Sequence, residues 1–240
     1  IAVVDLKRRA VLSRLKIGGQ PFGIASDNAG RLFVGDWSAN HVSIVDEATG
    51  AVVKALPVGR SPAHLVASAD GTRVYVADRE SNSVTVIDAR ALAVVKQIAV
   101  DRAPFALALT PDEKLLVVAN AQAGTLSIVD TASLQIVSSL PTRPMPYGVV
   151  MTSDNAEILV SNQHSGTVSV LAARTHAPRA EIKVGRYPEG IATLKSERKA
   201  YVANWFSASV SVLDLTTNSE IKKIKCPEGP RMVVAGVAAD

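Results

Sequence analysis

A proline-led apolar stretch recurs along the chain at almost constant spacing. It opens "PFGIA" at Pro21, "PAHLV" at Pro62, "PFALA" at Pro104, "PYGVV" at Pro146, "PEGIA" at Pro188 and "PRMVV" at Pro230. Successive prolines lie 41, 42, 42, 42 and 42 residues apart. A register held over that many steps marks a stacked array, in which each unit buries its apolar faces against copies of itself.

The second unit shows the parts. "PAHLVAS" is a short apolar strand, with its proline at the first position, where the missing N–H does no harm. "ADGTR" carries Asp-Gly turn chemistry, "VYVAD" is the second strand, "RESNS" a polar loop, "VTVID" the third strand and "VVKQIAV" the fourth. Four strands of about five residues joined by tight turns make an antiparallel meander. "VYVA", "LLVVA" and "EILVS" are nearly continuous apolar runs, as in strands buried on both faces. No unit contains a helix-length stretch of period 3.6. The expected fold is therefore all-β: a β-propeller of four-stranded antiparallel blades at 21–61, 62–103, 104–145, 146–187 and 188–229.

"RVYVAD…SNSVTVID" and "KAYVANWFSASVSVLD" resemble the YVTN-type β-propeller repeat, within the wider group of cytochrome d1-like propellers. The resemblance covers nearly the whole chain and implies a single propeller domain over 1–240, often periplasmic or extracellular. The WD dipeptide and the kelch double glycine are missing. Residues 1–20 align with the second half of a unit, Asp5 falling one repeat before Asp46, and 230–240 align with a first strand. Six blades are expected, the last shared by the two ends. Its strand two is missing: the blade is three-stranded, or the chain is part of a seven- or eight-bladed ring, or residues beyond both ends complete it. The last is the expectation.

Composition narrows the function classes. Of 240 residues, 48% are hydrophobic and 20% charged, which suits a soluble globular chain. No run approaches 18 apolar residues, so no membrane span is expected, and there is no signal-peptide pattern. The net charge is +4, but Lys and Arg are dispersed and aromatics make up only 4%, against a stacking nucleic-acid platform. The charge fits plain solubility first and attraction for anionic ligands second. Cys226 is the only cysteine, which excludes an internal disulfide, a multi-cysteine zinc site and a C-x-x-C-H haem attachment.

Strand direction places the loop between strands two and three at the same blade end as the link into the next strand one. Arg60, Arg102 and Arg186 lie two residues before the unit proline, and Arg143 three before. They read either as staples to neighbouring carboxylates and carbonyls or as a positive ring able to grip carboxylate or phosphate. Asp36, Asp78, Asn120, Asn162 and Asn204 close strand two. They read as caps of loop N–H groups, with a hard cation as the alternative. Asp5, Asp46, Asp88, Asp130 and Asp214 end strand three as turn caps, and Ala172 breaks that series. His64 takes a slot held elsewhere by Gly23, Ala106, Gly148 and Gly190, which makes it the one catalytic candidate; a hydrogen-bonded packing residue is the plainer reading. Met232 in the same slot reads as filler. Trp37, Arg79, Glu80, Gln163, His164, Trp205 and Phe206 lie in the strand two–three loops, as contact surface or folded onto the blade. His176 falls at the opposite end and His41 begins a strand. No G-x-S-x-G, H-E-x-x-H, P-loop or dinucleotide fingerprint occurs.

Two functions follow as expectations. The first is a binding scaffold presenting a basic channel mouth to an anionic small molecule or partner protein. It would use Arg60, Arg102, Arg143, Arg186, His64, Trp37, Arg79, His164, Trp205 and Phe206, with no nucleic acid and no metal. The second is a propeller enzyme, a lactonase- or lyase-like hydrolase using a divalent cation, or a cofactor-handling protein resembling cytochrome d1-type propellers. In that case His64 acts as base or axial ligand and the arginines hold carboxylates.

Overall fold

The computed structural model describes residues 1–194 and 197–235 and divides into two compact units, Ile1–Ile98 and Ala99–Ala235. In the first, β1 (Ala2–Asp5) and β2 (Ala10–Arg14) form a two-stranded sheet. Two antiparallel blades follow: β3 (Pro21–Ser26), β4 (Arg31–Asp36), β5 (His41–Asp46) and β6 (Val52–Pro57), then β7 (Pro62–Ala67), β8 (Arg73–Asp78), β9 (Ser83–Asp88) and β10 (Ala93–Ala99). The second unit holds three blades. They are β11 (Pro104–Leu109) to β14 (Gln135–Pro141) through β12 (Leu115–Asn120) and β13 (Thr125–Asp130); β15 (Pro146–Met151), β16 (Glu157–Asn162), β17 (Thr167–Ala172) and β18 (Pro178–Lys183); and β19 (Pro188–Thr193), β20 (Lys199–Asn204), β21 (Ser209–Asp214) and β22 (Ser219–Lys225).

Burial explains the run-on apolar strands. Strands two and three are covered on both faces, so β8 and β12 are buried along nearly their whole length. The fourth strands, such as β14 and β22, are mostly exposed. Core clusters gather side chains of adjacent blades: Phe33, Ile44, Leu65, Val76 and Ile87 in the first unit, and Leu159, Val170, Ile191, Val202 and Leu213 in the second. Strand-one neighbours come close. A Cβ built on Gly23 would lie 2.0 Å from the Ala63 carbonyl oxygen, and one on Gly148 would lie 2.3 Å from that of Glu189. This contact is why that slot is small in most units.

Strands two and three pair one to one, from Arg31↔Asp46 to Asp36↔His41 in the first blade and from Lys199↔Asp214 to Asn204↔Ser209 in the last. Each strand two–three loop ends on a left-handed residue: Asn40, Asn82, Gly124, Gly166 or Ala208. The aspartates that end strand three do cap the following turn: Asp88 Oδ1, for example, accepts from the backbone N–H groups of Arg90 and Ala91, both at 2.8 Å.

The chain's last stretch departs from expectation. Residues 230–235 are not a strand; the Gly190 N–H donates to the Arg231 carbonyl at 2.8 Å, and no ladder forms there among the described residues. Residues 236–240 of the expected closing strand lie outside the described residues. Met232 is 64% exposed and fills nothing. Among the described residues, no helix is long and apolar enough to cross a membrane.

Candidate functional site

Three members of the Asp/Asn series accept from loop N–H groups, as the sequence suggests, and most also do something it did not show. Asp36 accepts from the N–H groups of Ser38 and Ala39 at 3.0 Å, Asn204 Oδ1 from the Gly185 N–H in the preceding link at 3.1 Å, and Asp78 from the Gly59 N–H at the equivalent place. All but Asp36 also reach sideways to hydroxyls of strand three. Asn120 Nδ2 donates to Thr125 Oγ1 and Ser127 Oγ at 3.1 and 2.9 Å. Asn162 does the same to Thr167 and Ser169, and Asn204 to Ser209 and Ser211. Asp78 Oδ2 instead accepts from Ser83 Oγ and Thr85 Oγ1 at 3.1 and 2.6 Å. Being fully buried, Asp78 is pushed up to about 6 by desolvation, with the Thr85 and Ser83 hydroxyls pulling the other way. These side chains are buried cross-strand ties. Among the described residues, no group of three or more His, Cys, Asp or Glu is placed to hold a metal ion.

All four arginines before the prolines are exposed, and three have partners in the blade they enter. Arg60 Nη2 donates to the Glu80 carbonyl at 2.8 Å, and its N–H to Ser81 Oγ at 2.7 Å. Arg186 repeats this one-for-one: Nη2 to the Phe206 carbonyl at 3.1 Å and N–H to Ser207 Oγ at 2.7 Å. The loops they clamp are the two that form a 3₁₀ turn, Arg79–Ser81 and Trp205–Ser207. Arg143 pairs with Glu181 at 2.6 Å. The stapling reading thus describes Arg60, Arg143 and Arg186, while each guanidinium of the clamped pair keeps further donors for a ligand.

In the first unit, Trp37 is half-buried, tilted against Phe22 with ring centroids 5.0 Å apart, and the Arg79 guanidinium lies 5.9 Å from its ring centre. Arg79 also pairs with Glu80. His64 sits half-buried on β7.

The second unit carries a longer aromatic run. His164 lies 5.8 Å from Tyr187, Tyr187 meets Phe206 edge-on at 4.5 Å, and Phe206 stacks on Trp205 at 5.5 Å. Phe206 is 53% exposed. Beside the run lies a residue the sequence reading passed over. Glu189 is only 1% exposed, and its Oε1 accepts from Gln163 Nε2 at 2.9 Å. Burial raises its carboxyl above the usual range, opposed by Arg231 and Gln163. A signal was present: the slot after the unit proline holds Phe22, Ala63, Phe105 and Tyr147, so a glutamate there breaks the register.

A family model for the cytochrome d1 heme domain matches residues 38–174, more than half of the chain. The chain belongs to the cytochrome d1 heme domain family. A solved structure of hydrazine synthase from Kuenenia stuttgartiensis superposes with a TM-score of 0.87 over 96% of this chain and 82% of that one. At 20% identity that likeness shows the fold alone, the β-propeller. No curated protein matches the chain.

Membership of the cytochrome d1 heme domain family raises the question of a tetrapyrrole. Such a group needs a side-chain ligand to iron facing enclosed space wide enough for the macrocycle. In the second unit, an open cleft of about 470 Å³ is lined by Ala121, Ala123, Gly124, Pro144, Met145 and His164, among others. It exists because the 121–124 loop carries small residues where other blades carry Trp37, Arg79 or Trp205. His164 is exposed, and no arginine lines the cleft to meet propionates. A smaller cavity of about 200 Å³ lies at the other blade end, beside Asp154, Thr193 and Arg198, and has no histidine in its wall. There, Arg198 and Arg179 both grip the buried Glu157, at 2.8 and 3.0 Å. His64 lines neither space. Within either unit the described residues do not build a haem cradle.

Proposed function

We propose that this propeller is a binding scaffold whose second unit offers its strand two–three loops to a partner protein. One observation carries the reading: Tyr187, Phe206 and Trp205 form a continuous aromatic run, with Phe206 more than half exposed at its crest. Aromatic clusters of this kind anchor interfaces because they bury large area at small entropic cost. Arg102 and Arg186 flank the loops and add attraction for acidic groups on the partner, or for an anionic small molecule in its place. The YVTN-type resemblance supports a site of action outside the cytoplasm.

The test is positional. A photo-crosslinking phenylalanine analogue placed at Phe206 is expected to give one discrete adduct in the native extract, abolished by Trp205→Ala. The same analogue at Thr217, in the turn at the opposite blade end, is expected to give none. Equal labelling from both positions would overturn the proposal.

A further inference from the structure

Arg231 lies just past the last strand, on a segment without regular structure. Its guanidinium carbon sits 3.6 Å from the centre of the Trp205 ring. That is a close stacked cation–π contact, the geometry for which a planar, weakly hydrated guanidinium is best suited. The buried Glu189 finds in Arg231 its attractive charge, and Gln163 holds its other side. Gly229 brings the segment close: a Cβ there would lie 3.2 Å from Trp205 Nε1. An aromatic face, a buried carboxylate and an amide that orients it make a cation-recognition site, and the carboxylate stands in a slot that other units fill with Phe22, Ala63, Phe105 and Tyr147.

The cation that fills the site is weakly held. Arg231 is exposed, its backbone carbonyl accepts from the Gly190 N–H outside any strand ladder among the described residues, and Met232 beside it faces solvent. We infer that Trp205 and Glu189 form a recognition site for a cationic side chain, arginine above all, which Arg231 of the same chain fills in this structure. The inference rests on the binding face proposed above and names the chemistry of its anchor: a partner arginine displaces Arg231. The basic rim and the cationic pocket are complementary, because Arg102 and Arg186 meet acidic groups around the inserted cation.

Trp37 and Trp205 are the only tryptophans, so in the full chain carrying Trp37→Phe the emission reports on Trp205 alone. The probe is N-acetyl-arginine amide, with N-acetyl-citrulline amide as its neutral isostere. In this background Arg231→Ala is expected to bind the arginine probe about tenfold more tightly than the parent, since the internal competitor is gone. Arg231→Met, which keeps bulk but no charge, is expected to behave likewise and guards against a loosened segment. Adding Glu189→Gln is expected to undo most of the gain, and the citrulline probe to leave the emission unchanged. Equal affinity in parent and Arg231 variants, or equal response to both probes, would overturn the inference and leave Arg231 as a clasp. The crosslinking result at Phe206 is independent of these titrations, so failure of the pocket and failure of the face are told apart.

Discussion

At the scale of single residues, the buried ties between strands two and three give the sharpest expectation. Asp78 stands where three other blades have asparagine, beside the same pair of hydroxyl positions. The asparagines donate to these hydroxyls at no charge cost. Asp78 must be either desolvated and ionised or protonated, and desolvation takes it to about 6 from an ordinary 3.8. A carboxyl raised on folding contributes stability that is full below its unfolded value and lost as pH climbs through its folded value. The loss amounts to about 2 kcal/mol between pH 4 and pH 7. Asp78→Asn removes the titration and restores the neighbours' pattern. Its melting temperature is expected to exceed the parent's at pH 8, with the gap closing toward pH 4. Parallel melting curves across that range would mean that Asp78 does not titrate there. The sequence showed this series but not its partners. A side chain closing a strand can turn along the loop or across the ladder, and the choice depends on hydroxyls seven residues on, such as Ser127 and Ser211.

Among elements, the closeness of strand-one neighbours decides what the repeat tolerates. Gly148 faces the Glu189 carbonyl, and its missing Cβ would also lie 2.7 Å from Ser161 Oγ. That hydroxyl already serves both strands, accepting from the Gly148 N–H and donating to the Glu189 carbonyl. Gly148→Ala is expected to cost about 1–3 kcal/mol, the usual range for overpacking, read as a lower urea midpoint at unchanged slope. Ala106 holds the same slot in β11, so strand one itself accepts a Cβ, and an unchanged midpoint would mean that β15 and β19 separate freely. The elements were legible because a 42-residue period and a proline at each strand-one start fix every boundary: β3, β7, β11, β15 and β19 all begin on that proline. Contacts between blades were not. Gln163 and Glu189 are 26 residues apart and meet only because β16 and β19 belong to adjacent blades. Likewise, the arginines before the prolines read alike along the chain. Arg60 and Arg186 become clamps because a serine ends the facing 3₁₀ turn; Ala123 takes that place opposite Arg102.

For the molecule as a whole, the family accounts for the blades, while within either unit the described residues add no haem cradle. The match to the cytochrome d1 heme domain spans residues 38–174 and so includes the strands that make blades in both units. Burial alone accounts for the character of those strands: their run-on apolar sequence, turn aspartates and small strand-one residues are what any blade of this size needs. A haem site asks for something the repeat does not supply, a ligand aimed into an enclosed space. His64 is half-buried on a strand and lines neither of the two spaces described, and His164 is exposed at the rim of an open cleft. Titration of the full chain with ferric haem is therefore expected to give no saturable Soret shift and no rise in melting temperature, since a ligand that binds only the folded state raises apparent stability by mass action. A saturable shift at one equivalent, lost in His64→Ala or in His164→Ala, would reverse this conclusion. It would show that the blades gather round a tetrapyrrole after all, with the named histidine on its iron.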